Sequence, residues 1–134
     1  MRKFLSVNYS QAAFNIAMLA LRVGAGAMAM SHGYSKLVHF ADMKSKFMDF
    51  LGIGSTLSLI LVIFSEFFCS IFLIIGLFSR LVVIPLIISM SVVLFKAHNG
   101  ELFGNGERPA LYLTIFITLL LCGPGKASID GTMR

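Results

Sequence analysis

The sequence predicts an all-α membrane protein, an antiparallel bundle of four transmembrane helices with a short interfacial helix between the first two. Three observations carry this. The chain has 134 residues with a mean hydropathy of +0.90. Only 13% of its residues are charged, about half the share usual in soluble domains. Four long apolar stretches, near 12–31, 55–78, 80–97 and 109–123, each approach the ~17 to 25 residues that cross a hydrocarbon core of ~30 Å. The connections are uneven, and their lengths dictate how the helices lie. A single domain over 1–134 follows.

The first apolar stretch follows Arg2 and Lys3 and contains small-residue runs, a pattern shared with cleaved signal peptides. Arg22 in its middle argues instead for a retained helix. About 23 residues then lead to the second stretch. Within them Leu37, Phe40, Ala41, Met48 and Leu51 keep helical spacing while Lys36, Asp42, Lys46 and Asp49 fall elsewhere, which predicts an interfacial helix. The second and third stretches are separated only by Phe78, Ser79 and Arg80, so these helices are antiparallel neighbours. Pro85 in the third bends it and frees the carbonyl of residue 81. The third connection, "HNGELFGNGE", is irregular, and Pro109 opens the last helix.

Counting crossings puts both termini and the Ser79/Arg80 turn on one side, with Arg2, Lys3, Arg80, Lys126 and Arg134. The other side carries Lys36, Lys44, Lys46, Lys96 and Arg108. That balance leaves the positive-inside rule undecided, and the position of Arg2 and Lys3 just before the first span favours cytoplasmic termini. A net charge of +5 spread over loops and ends points to lipid headgroups rather than nucleic acid. Cys69 and Cys122 are isolated in sequence and signal neither a disulfide framework nor a zinc site, so apolar packing is their default role.

Arg22 and Glu66 each fall near the middle of an apolar span. An isolated charge there costs about 2.5–3.5 kcal/mol on insertion scales, and roughly 15 Å of helix is too far for either to reach a headgroup. An antiparallel pair of helices lets them form a buried ion pair, with Ser65, Ser70 or Asn15 taking the remaining guanidinium donors. A protonated Glu66 is the alternative. Such a pair either fixes helix register alone or organises a ligand or proton site. Ala25, Ala29 and Gly33, four apart, allow close helix approach. His32, Lys36 and His39 share a helix face, and Lys96 and His98 lie on the same side of the bundle. They form a candidate mouth for an anion or a quinone headgroup, or simply meet lipid phosphates. The histidine spacing does not suit a metal. On the last helix Thr114, Thr118 and Cys122 make one stripe, most simply bonded to their own backbone.

An arginine within helix one, the run "GYSK" (Gly33–Lys36), the mid-helix Glu66 followed by "IGLFSRL" (Ile75–Leu81), and the terminal "GPGKASID" (Gly123–Asp130) together resemble the DoxX family of small bacterial membrane proteins. The resemblance covers nearly the whole chain. It implies a four-helix bundle in the bacterial inner membrane. Related proteins serve as membrane subunits of oxidoreductase systems, including quinone-coupled thiosulfate oxidation and thiol-redox complexes. Arg22, Lys36, Glu66, Arg80, Gly123, Pro124, Gly125 and Asp130 match the family pattern. The expectation is therefore a membrane subunit of a quinone- or thiol-linked redox system, acting with a redox partner protein. No self-contained catalytic or redox centre is visible in the sequence, and quinone is the one cofactor the resemblance suggests. A small permease or channel for an anion or proton, and a scaffold without chemistry, are the alternatives.

Overall fold

The computed structural model describes residues 2–45, 52–97 and 106–132, and only the backbone of Arg2, Lys3, Lys96 and Ala97. Every regular element among them is helical. Four long rods dominate. Helix α1 is Gln11–Val38 and α2 runs over Ser55–Ile75. Helix α3 is Ser79–Val92, prolonged by a π-helical turn, Val93–Ala97, and α4 is Glu107–Cys122. Of these, α1 and α2 are long and apolar enough to cross a membrane, while Ser79–Phe95 is apolar but shorter.

Helix α1 begins at Ser10, whose hydroxyl accepts the Ala13 amide at 3.0 Å and satisfies one of the free donors of the first turn. It ends at Val38 rather than near residue 31, because nothing in "SHGYSK" stops it. Gly33, a helix breaker by propensity, is here a point of contact. A Cβ on it would lie 2.7 Å from the Phe67 amide nitrogen and 3.0 Å from the Glu66 Cβ. This packing holds the helix through a residue that alone would weaken it by about 1 kcal/mol. The continuation takes up the first part of the expected interfacial helix, Leu37 included. A single turn, Phe40–Met43, follows, and Met48 and Leu51 lie outside the described residues.

Helix α2 carries a π-helical turn over Phe64–Cys69. One residue more per turn shifts the side chains that follow onto a new face, and such turns recur at functional sites. The helix closes on Gly76, whose positive φ of 77° lets the amides of Gly76 and Leu77 return to the carbonyls of Leu73 and Phe72. Helix α3 starts three residues later and continues through Pro85.

All four rods share one core. Ala25 and Ala29 of α1 meet Cys69 and Leu73 of α2, Val83, Leu86 and Met90 of α3, and Tyr112, Phe116 and Leu119 of α4. Large apolar side chains such as Leu57, Phe64, Leu81, Ile88, Leu111 and Leu121 face outward, as a surface solvated by lipid requires. The chain after α4 turns at Gly123 and Gly125 and folds back as a terminal segment ending in the turn Ile129–Thr132. It brings the C-terminal side of the chain against the first half of α1 and the Gly76–Phe78 turn, where Lys126 donates its amide to Asn15 and Asp130 its amide to Gly76.

Candidate functional site

The expected Arg22–Glu66 ion pair does not form; each residue has another partner. Glu66, 3% exposed, accepts from Lys36 Nζ at 2.6 Å. The reason is register. Gly26 packs on Ile74 and Gly33 on Glu66 and Phe67, so the antiparallel helices set Glu66 opposite Gly33 rather than Arg22. At about 1.5 Å per residue, the eleven positions from Arg22 to Gly33 separate the two charges by roughly 16 Å along α1. The apolar stretches set both charges at the same depth only because the first stretch stops before Lys36, whereas α1 continues to Val38.

The Lys36–Glu66 pair joins α1 to α2, and α4 packs on α1 nearby through Tyr112. Lys36 comes from the last turn of α1 and retains 22% side-chain exposure, so its ammonium sits at the rim while the carboxylate lies inside. The π-helical turn of α2 presents Glu66. Tyr112 of α4 stacks on Phe116 with ring centroids 5.9 Å apart. His32, half-buried on α1, meets the Tyr112 ring edge-on at 6.2 Å. A cation–carboxylate pair between α1 and α2 and an imidazole–phenol contact between α1 and α4 thus share α1. Such a set can hold a polar head and exchange protons with it.

The expected basic mouth is accordingly redrawn. Lys36 is paired with Glu66, and His39 is exposed, with Nδ1 2.8 Å from the Ser35 carbonyl oxygen. The side chain of Lys96, and His98 altogether, lie outside the described residues.

Arg22 forms a second polar centre at the other end of the bundle. It is 2% exposed, and its three nitrogens donate to Ile74 at 3.3 Å, Pro124 at 2.6 Å and Ala127 at 2.7 Å, all carbonyl oxygens. Ile74 lies in the last turn of α2, so the cation meets the negative pole of that helix. Asp130 adds attraction at longer range. The same Asp130 carboxylate accepts the amides of Phe78 and Ser79, each at 2.8 Å, capping α3 from another part of the chain. It also holds Phe78 in its left-handed conformation, φ 51°. Of the donors and acceptors expected around Arg22, Asn15 serves the Lys126 amide, Ser65 bonds Val62, and the buried Ser70 hydroxyl has no partner among the described residues.

The Thr114 and Thr118 hydroxyls bond the carbonyls four residues back, the local reading. Both cysteines are free; Cys69 packs in the core, but Cys122 is exposed, contrary to its expected packing role. Sequence reasoning missed Lys36 as the partner of Glu66 and Asp130 as a cap. The available signals were the lysine closing "GYSK" and the acid closing "GPGKASID".

Residues 17–99 match the DoxX family, a stretch holding Arg22, Lys36, Glu66 and Arg80 and ending before the terminal segment. The chain belongs to the DoxX family. No curated protein and no solved structure matches it. With two helices fit to span a bilayer, this DoxX protein is an integral membrane protein.

Proposed function

We propose that this DoxX protein is the quinone-binding membrane subunit of an oxidoreductase system, with the quinone head at Lys36 and Glu66 and a partner protein supplying electrons. In this reading all four rods cross the bacterial inner membrane, with both termini cytoplasmic. The supporting observation is the Lys36–Glu66 pair at 2.6 Å, with Glu66 on a π-helical turn and the His32–Tyr112 contact one helical turn before Lys36 on α1. A quinone carbonyl needs a hydrogen-bond donor when oxidised and a proton for each electron when reduced. Lys36 Nζ is a donor at the rim, and Glu66, His32 and Tyr112 are groups that hold and pass protons. The apolar outer surface of the bundle suits an isoprenoid tail. A transport path gains less support, because the Arg22 guanidinium is committed to the carbonyls of Ile74, Pro124 and Ala127.

The test is quinone content. Protein purified from its native membrane in mild detergent is extracted, and quinone per chain is measured by chromatography. Near-stoichiometric quinone is expected, falling at least about tenfold in Glu66→Gln and Lys36→Met proteins that remain folded, the loss of one charge-assisted bond. Quinone no higher than in a control membrane protein of similar size, or unchanged in both variants, contradicts the reading.

A further inference from the structure

At the end of the bundle where α2 turns into α3, a cavity of about 540 Å³ is lined by Ser79 and Arg80 of α3, Cys122 of α4, and Gly123, Gly125 and Asp130 of the terminal segment, among others. It is remote from Lys36 and Glu66, and the proposed quinone chemistry does not use it. Its charges are unequally committed. The Asp130 carboxylate is turned onto the Phe78 and Ser79 amides, with Arg22 nearby as counter-charge. Arg80 is exposed and, among the described residues, makes one hydrogen bond, to the Leu121 carbonyl oxygen at 3.4 Å, and no ion pair. A guanidinium carries five N–H donors in a planar fork, so most of this fork, which lies against Gly123 in the cavity wall, is uncommitted among the described residues. In the same wall the Ser79 hydroxyl is buried without a partner among the described residues. Leu81, which also lines the cavity, and Leu121 are 65% and 74% exposed.

We propose that this cavity binds a phosphate group on the Arg80 fork, with the phosphodiester of a membrane lipid as its source. Arginine matches phosphate oxygens two at a time, a fit that lysine lacks. Helix ends lie at the depth of lipid phosphates, where basic pockets between helices take headgroups. Leu81 and Leu121 then lie along the acyl chains of the same lipid. A bound headgroup covers the opening that Cys122 shares, which makes this thiol a native reporter.

The experiment follows N-ethylmaleimide labelling of Cys122 in maltoside micelles, with buried Cys69 remaining unlabelled as the check on folding. Phosphatidylglycerol, a galactosyl diacylglycerol and inorganic phosphate are titrated separately. Phosphatidylglycerol is expected to slow labelling at least about tenfold, the scale of one or two charge-assisted bonds, and the galactolipid to leave it unchanged. Arg80→Gln removes the protection. Arg80→Lys, which keeps charge but not the fork, retains part of it and serves if Arg80→Gln exposes Cys69. Equal protection by millimolar inorganic phosphate keeps the phosphate site and assigns it to a soluble anion. Labelling indifferent to phosphatidylglycerol, equal protection by the galactolipid, or protection surviving in Arg80→Gln overturns the proposal.

Discussion

Lys36 and Glu66 meet with the carboxylate inside the bundle and the ammonium at its rim. Removing one partner leaves the other without compensation, whereas removing both leaves an apolar contact, so their effects are strongly coupled. Lys36→Met and Glu66→Met are each expected to lower stability by about 2–3 kcal/mol, and the double variant by less than the two losses together. Unfolding measured in detergent for the four proteins checks this, and additive losses would deny the pair. At this scale the sequence made the need legible but not the partner. A carboxylate in "ILVIFSEFFCSIFLI" demands a donor, yet the choice between Arg22 and Lys36 depends on helix register, which hydropathy does not encode. Gly33 sets that register by letting α1 approach the backbone of Glu66 and Phe67.

Among the elements, the terminal segment is the one whose role is set by residues far from it. Arg22 holds it through the Pro124 and Ala127 carbonyls, and Asp130 fastens it to the start of α3. Arg22→Met removes two charge-assisted bonds to the segment, each worth about 1.5–3 kcal/mol. Its opening is then far more frequent, and trypsin cleavage after Lys126 is expected to accelerate more than about tenfold. Cleavage at the parent rate would mean the segment is held by other contacts. Asp130→Asn weakens the cap by about 1 kcal/mol, and the amides of Phe78 and Ser79 are expected to exchange hydrogen faster while those of the α4 core do not. The helix hairpin at Ser79 was legible from its shortness. The π-helical turns were not, since an inserted residue in an apolar run leaves the composition unchanged, and the extension of α1 to Val38 was hidden by polar residues that end a hydropathy window without ending a helix.

For the whole molecule, apolar composition announced a helical membrane protein, and the outward Leu, Ile and Phe side chains agree with it. The chain sorts its ionisable groups to two ends. Lys36, Glu66, His32 and Tyr112 stand at one, and Arg22, Arg80 and Asp130 at the other, with a core of Ala29, Leu73, Leu86 and Phe116 between them. That division separates a candidate ligand site from a structural latch, which a single pair at mid-depth would not do. It is tested most directly by solid-state NMR in lipid bilayers, with 13C-labelled glutamate and 15N-labelled lysine and arginine side chains. A dipolar contact between a glutamate carboxyl and a lysine Nζ that vanishes in Lys36→Met is the predicted result; a contact between the Glu66 carboxyl and the Arg22 guanidinium would contradict it.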